Sequence, residues 1–93
     1  MGLDVTLFAI NLSTDKGRIF SQFRNTWWLV DRLNVEDTDN GFDVELTKEQ
    51  LQAIIDDASI RNEKDGKRVN YVLSKMIEIA DWKNERVYVN CFW

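Results

Sequence analysis

Alternation between apolar and polar residues predicts three β-strands along this chain. Residues 3–10 read Leu-Asp-Val-Thr-Leu-Phe-Ala-Ile, a run of β-favouring residue types interrupted by one aspartate and one threonine. Residues 42–46 place three apolar side chains on one face of a strand and two carboxylates on the other, which predicts one buried face and one solvated face. Residues 87–92 alternate in the same way, so we expect a strand near the end of the chain.

Apolar residues spaced three and four positions apart predict three helices. Large apolar residues recur at this spacing over residues 19–33, which predicts an amphipathic helix. Thr47 and Gln50 form a capping-box sequence, and the apolar stripe that follows predicts a helix over residues 48–58. The same spacing predicts a third helix over residues 69–80.

The predicted elements follow one another in the order strand, helix, strand, helix, helix, strand. Helices packed on one face of a small, mainly antiparallel sheet would bury all the apolar stripes together. We therefore predict an α+β fold with about three strands and with two to three helices on one face. A chain of 93 residues is normally one domain, and we expect residues 1–93 to form a single compact domain. The final strand could pair beside the first, which would tie both ends of the chain into the sheet, and the sequence leaves the strand order open.

The composition argues against catalysis. The chain contains no histidine and one cysteine, Cys91, so it lacks a side chain with an unperturbed pKa near neutrality. It also lacks a Ser/His or Cys/His nucleophile pair and the usual sets of zinc ligands. The acidic residues 36–41 do not have the ligand spacing of a calcium loop. We predict a protein that is not an enzyme and that needs no metal and no cofactor.

Charge and hydropathy exclude two further classes of partner. Sixteen acidic residues against twelve lysines and arginines give a formal net charge of -4, which argues against direct binding of nucleic acid. The apolar stretches are too short to span a bilayer, so we expect no membrane contact. One cysteine and the lack of a secretory signal predict a cytoplasmic location.

Tryptophans and an acidic run are the candidate binding features. Trp27 and Trp28 are successive on the predicted helix and point about 100 degrees apart. We assign Trp27 to the edge of the core and Trp28 to an outward position, with Arg24 and Arg32 near it by helical spacing. Tryptophan and arginine are frequent interface hot spots, and carboxylates add charge complementarity. The predicted partner-binding residues are Trp28, Arg24, Arg32, Trp82, Trp93, Glu36, Asp37, Asp39, Asp43 and Glu45.

Several short motifs resemble a family of small, mostly uncharacterised bacteriophage proteins that begin with the sequence MGLDMYL. They are the opening Met1-Gly2-Leu3-Asp4, Arg24 with Trp27 and Trp28, the segment Glu45-Leu46-Thr47-Lys48-Glu49-Gln50-Leu51, and the final Phe92-Trp93. This resemblance implies a phage origin, brings no established catalytic residues, and suggests a role in host takeover. We expect a stoichiometric inhibitor that binds a host protein or an anti-phage defence protein in the bacterial cytoplasm.

Three alternatives stay open on the sequence. Residues 36–45 would serve a nucleic-acid mimic, in which carboxylates stand in for phosphates at a basic groove. A carboxylate-based or metal-dependent hydrolase would need a pair of acidic residues brought together from different elements. A homo-oligomer would bury the tryptophans between its subunits.

Overall fold

The computed structural model describes residues 2–93, so Met1, the first residue of the opening motif, lies outside it. Residues 2–93 form four strands and three α-helices. Their bounds are β1 Asp4–Asn11, β2 Gly17–Arg24, α1 Trp27–Arg32, β3 Asp43–Leu46, α2 Lys48–Asp56, α3 Gly66–Ile79 and β4 Glu85–Phe92. Short 3₁₀ turns, Asp37–Asp39 and Ala58–Asn62, precede β3 and α3. The fold class is α+β, as the apolar patterns predicted.

The strands form an antiparallel sheet in the order β2-β1-β4-β3. The central strands β1 and β4 pair over their full lengths, from Asp4 opposite Phe92 to Asn11 opposite Glu85. The final strand pairs with the first, which is one of the arrangements that the sequence left open. The sheet over residues 2–93 has four strands rather than about three, because a segment predicted as helix is a strand.

The helix predicted over residues 19–33 is wrong in its first half, which forms β2. The register between β1 and β2 shifts between Leu7 and Phe8, which marks a β-bulge. Because a bulge breaks the two-residue alternation, Phe20 and Phe23 both contact the core although they lie three positions apart. The bulge therefore gives a strand the apolar spacing of a helix.

Helix α1 begins at Trp27 rather than at residue 19. Asn25 has a φ of 59°, in the left-handed region, and a residue in this conformation cannot lie inside a continuous right-handed helix. Its side-chain Oδ1 accepts a hydrogen bond of 2.9 Å from the backbone N–H of Leu3. Asn25 thus ends β2 and turns the chain into α1.

Helix α2 begins where the capping-box sequence predicted. The hydroxyl of Thr47 accepts a hydrogen bond of 3.1 Å from the backbone N–H of Gln50, and Gln50 Oε1 accepts one of 2.8 Å from the backbone N–H of Thr47. The helix ends at Asp56, two residues before the predicted end, and Ala58 lies exposed in a 3₁₀ turn.

The helices pack on one face of the sheet. Odd-numbered residues of β1 and β4 point to that face and are buried against the apolar stripes of the helices. The main contributors to this core are Val5, Leu7, Ala9, Val87, Val89, Cys91, Leu29, Leu51, Ile54, Val69, Leu73 and Met76. Within residues 2–93, none of the helices has the length and apolar content needed to cross a membrane.

Candidate interaction surface

The second face of the sheet lies opposite the helices, and we call it the open face. It is formed by the even-numbered residues of β1 and β4 and by their cross-strand neighbours on β2 and β3. These residues are Asp4, Thr6, Phe8, Ile10, Ile19, Gln22, Arg24, Asp43, Glu45, Arg86, Tyr88, Asn90 and Phe92.

Two aromatic side chains form the centre of the open face. Phe8 on β1 lies opposite Tyr88 on β4, with 5.5 Å between the ring centroids and 22° between the ring planes. Both residues are partly exposed. Stacked aromatic rings on neighbouring strands hold each other in place, so this pair is a rigid apolar platform.

Further apolar side chains extend this platform. Ile19 lies across from Phe8 on β2 and is 65% exposed. Ile10 follows Phe8 by two residues on the same face of β1 and is partly buried. Phe92 is 62% exposed at the end of β4, with Asn90 between it and Tyr88 on the same face. Scattered exposed apolar residues are common on any protein, whereas a contiguous group on one sheet face is typical of an interaction site.

Polar pairs surround the platform. Asn90 donates a hydrogen bond of 2.9 Å from Nδ2 to the carboxylate of Asp43. Arg86 and Glu45 form an ion pair at 3.0 Å, and both side chains are about half exposed. Such exposed pairs contribute little to stability, roughly 0–1 kcal/mol each, so their charges are free to reorganise around a partner.

Arg24 lies on the open face and not on a helix. Its guanidinium stands 3.4 Å from the carboxylate of Asp4, with the arginine side chain 70% exposed. The helical spacing that placed Arg24 near Trp28 is therefore wrong, because residue 24 belongs to β2.

The acidic segment, residues 36–45, lies beside the end of β4 that carries Phe92. The backbone N–H of Gly41 donates to the carbonyl of Cys91 at 2.8 Å. Asn40 donates from Nδ2 to the Trp93 carbonyl at 2.9 Å and accepts from the Trp93 N–H at 3.0 Å. The Asn40 side chain therefore forms hydrogen bonds with both the carbonyl and the N–H of Trp93, as the backbone of a neighbouring strand would.

The acidic residues of this segment are partly committed to the local backbone. Asp39 Oδ2 accepts a hydrogen bond of 2.9 Å from the backbone N–H of Glu36. Glu36 is the N-cap residue of this 3₁₀ turn, and its backbone carbonyl accepts a hydrogen bond of 2.9 Å from the backbone N–H of Asp39. Asp37 is exposed. Acidic charge is thus concentrated beside Phe92 and Trp93 and continues along β3.

The structure reverses the expected roles of the two adjacent tryptophans. Trp27 is 46% exposed and meets Trp93 edge to face, with 5.7 Å between the ring centroids. Trp28 is partly buried against the core, and its Nε1 donates to the Lys64 carbonyl at 2.8 Å. The expectation was wrong because α1 begins at Trp27, so its buried stripe starts with Leu29.

Two other predicted residues lie away from the open face or at its margin. Arg32 pairs with Asp57 at 2.6 Å on the side of the helices. Hydrogen bonds from Ser59 and from Arg32 lower the pKa of Asp57 to about 2. Trp82 donates from Nε1 to the Ile77 carbonyl at 3.1 Å, and it lines a shallow depression of about 300 Å³ together with Glu45 and Arg86.

The structure thus divides the predicted binding residues into groups. Arg24, Asp43 and Glu45 lie on the open face. Trp93 lies beside this face, together with the predicted acidic residues Glu36, Asp37 and Asp39. Trp28 serves the core, and Arg32 forms an ion pair on the helical side.

The platform residues were missed in the sequence. Phe8 lies two residues from Thr6, and Tyr88 lies two residues from Asn90, so each aromatic residue shares a strand face with a polar one. The polar residues indicated that this face is solvated and that it carries aromatic rings. Two strands that each alternate in this way predict an exposed aromatic pair once they are placed side by side.

No protein-family model, curated protein or solved structure matches this chain. The resemblance to phage proteins therefore stays a prediction, and a functional proposal has to start from the open face.

Proposed function

We propose that this protein is a binding module that attaches to one protein partner through the open face. The observation that carries the proposal is the stacked pair Phe8 and Tyr88, with Ile19 exposed beside it and Phe92 exposed on the same face at the end of β4. An apolar centre with a polar rim is the usual composition of a protein interface. Because stacking already restrains the central rings, binding costs them little further conformational entropy.

The charge distribution favours a partner with basic groups on one side. Residues 36–45 contain five acidic residues and no basic one, and this segment reaches the open face at Asp43 and Glu45. Partner lysines and arginines would meet these carboxylates while apolar partner residues cover the aromatic pair.

The size of the open face supports including the acidic segment in the interface. Four strands of up to eight residues, about 4.8 Å apart and rising about 3.3 Å per residue, give a projected area of roughly 500 Å². Each partner in a standard interface contributes about 800 Å². In the proposed interface, the neighbouring segment 36–42, together with Trp27 and Trp93, supplies the rest of the contact area.

The resemblance to small phage proteins suggests the identity of the partner. On that basis we propose a stoichiometric inhibitor that covers a functional surface of a host protein or of an anti-phage defence protein. Inhibition by coverage requires no catalytic group, which agrees with the lack of histidine in the sequence.

The test compares two aromatic residues of equal exposure on opposite sides of the molecule. Phe92 on the open face is 62% exposed, and Tyr71 on α3 is 63% exposed. Wild-type protein, Phe92→Lys and Tyr71→Lys are immobilised, bacterial host lysate is passed over each, and the retained proteins are quantified by mass spectrometry. A second set of columns is run at high salt.

We expect one host protein to be retained near one-to-one by the wild type and by Tyr71→Lys, and at least about tenfold less by Phe92→Lys, because a charge replaces an exposed aromatic contact of the open face. High salt should weaken retention only moderately, since an apolar centre is not screened. Equal retention by all three proteins, or loss with Tyr71→Lys alone, would overturn the proposal. Complete loss at high salt with Phe92→Lys unaffected would favour the nucleic-acid mimic.

A further inference from the structure

The sheet ends in two edge strands, β2 and β3, and the outward-facing backbone groups of β2 can be identified. The backbone N–H of Asn25 donates to the Leu3 carbonyl at 2.8 Å, so Leu3 and Asn25 form a hydrogen-bonded pair at the end of the β1 and β2 ladder. In an antiparallel ladder such pairs alternate with non-bonded pairs. Gln22 and Arg24 therefore direct their backbone N–H and C=O groups away from β1. The Gln22 carbonyl accepts from Arg68 Nη2 at 3.0 Å, which agrees with this orientation.

The segments that form the two edges carry opposite charge. Residues 16–24 contain three basic residues and no acidic one, and Arg68 from α3 adds a fourth positive charge at the β2 edge. Residues 36–46, which lead into and form β3, contain five acidic residues and no basic one. Like charges directly opposite each other destabilise strand pairs, so pairing of β2 with β2 or of β3 with β3 is disfavoured. Pairing of β2 with the β3 of another copy brings opposite charges together. It replaces the hydrogen bond from Arg68 to the Gln22 carbonyl and competes with the exposed ion pairs of Arg24 with Asp4 and of Glu45 with Arg86. Such exposed pairs are worth only about 0–1 kcal/mol each, so they can be exchanged.

The topology allows this pairing without a change of fold. Because the sheet has four strands in antiparallel alternation, a second copy displaced in the plane of the sheet brings its β3 antiparallel to β2 of the first. Arg24 and Glu45 both lie on the open face, so they come to the same side of the joined sheet. The helices of both copies then lie together on the other side.

We propose that copies of this chain associate head to tail, with the basic β2 edge of one copy paired to the acidic β3 edge of the next. Such a heterologous contact leaves one edge of each kind unpaired at the two ends of a pair, so further copies add to it until the rotation between copies closes a ring. The usual twist between neighbouring strands makes the assembly helical. The open faces form one continuous surface along it, so a partner with repeated sites would be bound with increased avidity.

The test reverses one charge at each edge and then combines the two variants. The edge variants are Arg24→Glu and Glu45→Lys, and the controls with the same change of net charge are Lys75→Glu and Glu78→Lys on the exposed side of α3. Mass is measured by sedimentation and light scattering from dilute solution up to about 1 mM, the weak end of protein affinities. Circular dichroism confirms that every variant folds, which is expected because these side chains are largely exposed.

We expect the mass of the wild type and of both controls to rise with concentration in about 0.01 M salt and to fall in about 1 M salt, where charges are screened within about 3 Å. Each edge variant alone should associate roughly three- to tenfold more weakly, because an attractive cross-strand pair becomes repulsive. An equimolar mixture of the two should recover wild-type association, since every edge again meets an opposite charge.

Three results would overturn the proposal. They are a wild type that stays monomeric throughout, edge variants that associate as strongly as the controls, and a mixture that associates no better than its components. None of them bears on binding of a partner through Phe92, so this test and that of the proposed function fail independently.

Discussion

Replacing Gly66 by alanine should destabilise the protein, although alanine is normally the better helix residue. Gly66 is the first residue of α3 and is buried against the turn Ala58–Asn62. A Cβ placed there would lie 1.7 Å from the backbone oxygen of Ile60 and 3.1 Å from the Cα of Arg61. In an unconstrained helix the same change is favourable by about 1 kcal/mol.

The clash involves backbone, so no side-chain rotation relieves it. The turn must move away from α3, and this movement exposes part of Ile60, which is 0% exposed in the native fold. Overpacking costs about 1–3 kcal/mol and partial loss of an isoleucine from the core adds about 1 kcal/mol, so after the helix gain of about 1 kcal/mol we expect a net loss of about 2 kcal/mol. For a protein of this size that lowers the melting temperature by roughly 8–16 °C.

Thermal and urea unfolding of the wild type, Gly66→Ala and Gly17→Ala test this reasoning. Gly17 is a suitable control because a Cβ there would stand 3.6 Å from the Ala9 carbonyl, an ordinary contact. We expect Gly17→Ala to remain within about 1 kcal/mol of the wild type. A Gly66→Ala protein as stable as the wild type would show that the turn and α3 are not packed as described.

Three further predictions concern the helix cap, acid stability and the cysteine. Thr47→Ala should cost about 1 kcal/mol in urea unfolding and Thr47→Ser much less, because serine keeps the oxygen that accepts from the Gln50 N–H. Ser59 and Arg32 lower the pKa of Asp57 from 3.8 to about 2, so its contribution to the stability of the fold is present above pH 3.8 and is lost as the pH falls toward 2. The hydrogen bond from Arg18 lowers the pKa of Glu85, so Glu85 adds to the loss of stability in acid. Unfolding midpoints measured from pH 7 to pH 2 should therefore fall less steeply for Asp57→Asn than for the wild type. Burial raises the pKa of Cys91 to about 11, so a thiol reagent at pH 8 should label it slowly in the native protein and rapidly in urea, and equal rates would contradict its burial.

Short sequence patterns predicted the helices and strands that depend mainly on residues close together in the chain. The capping box at Thr47 and Gln50 placed the start of α2, and simple alternation placed β1 and β4. Their pairing at the centre of the sheet did not follow from these signals, because strand order is set by contacts between distant elements.

Strand β2 was not predictable from periodicity, because its spacing depends on a bulge in its pairing with β1. The bulge is a property of two strands, and neither sequence alone reveals it. The exchanged roles of Trp27 and Trp28 follow from the same error, since Asn25 and not residue 19 fixes where α1 begins.

The candidate site was predicted in part for a related reason. Charged residues such as Asp43 and Glu45 were recognisable as a solvated strand face. The aromatic centre was missed, because the solvated face indicated by Thr6 and Asn90 shows an aromatic pair only when β1 and β4 are placed side by side in register. That register is set by contacts between distant parts of the chain.

The most direct test of the open face observes it without any substitution. Isoleucine methyl groups report on both sides of the molecule, with Ile10 and Ile19 on the open face and Ile79 exposed on α3. The methyl spectrum is recorded on labelled protein before and after addition of the retained host protein. Shifts or broadening at Ile10 and Ile19 with Ile79 unchanged are predicted. Changes at Ile79 with Ile10 and Ile19 unaffected would place the binding surface on the helices and contradict the account.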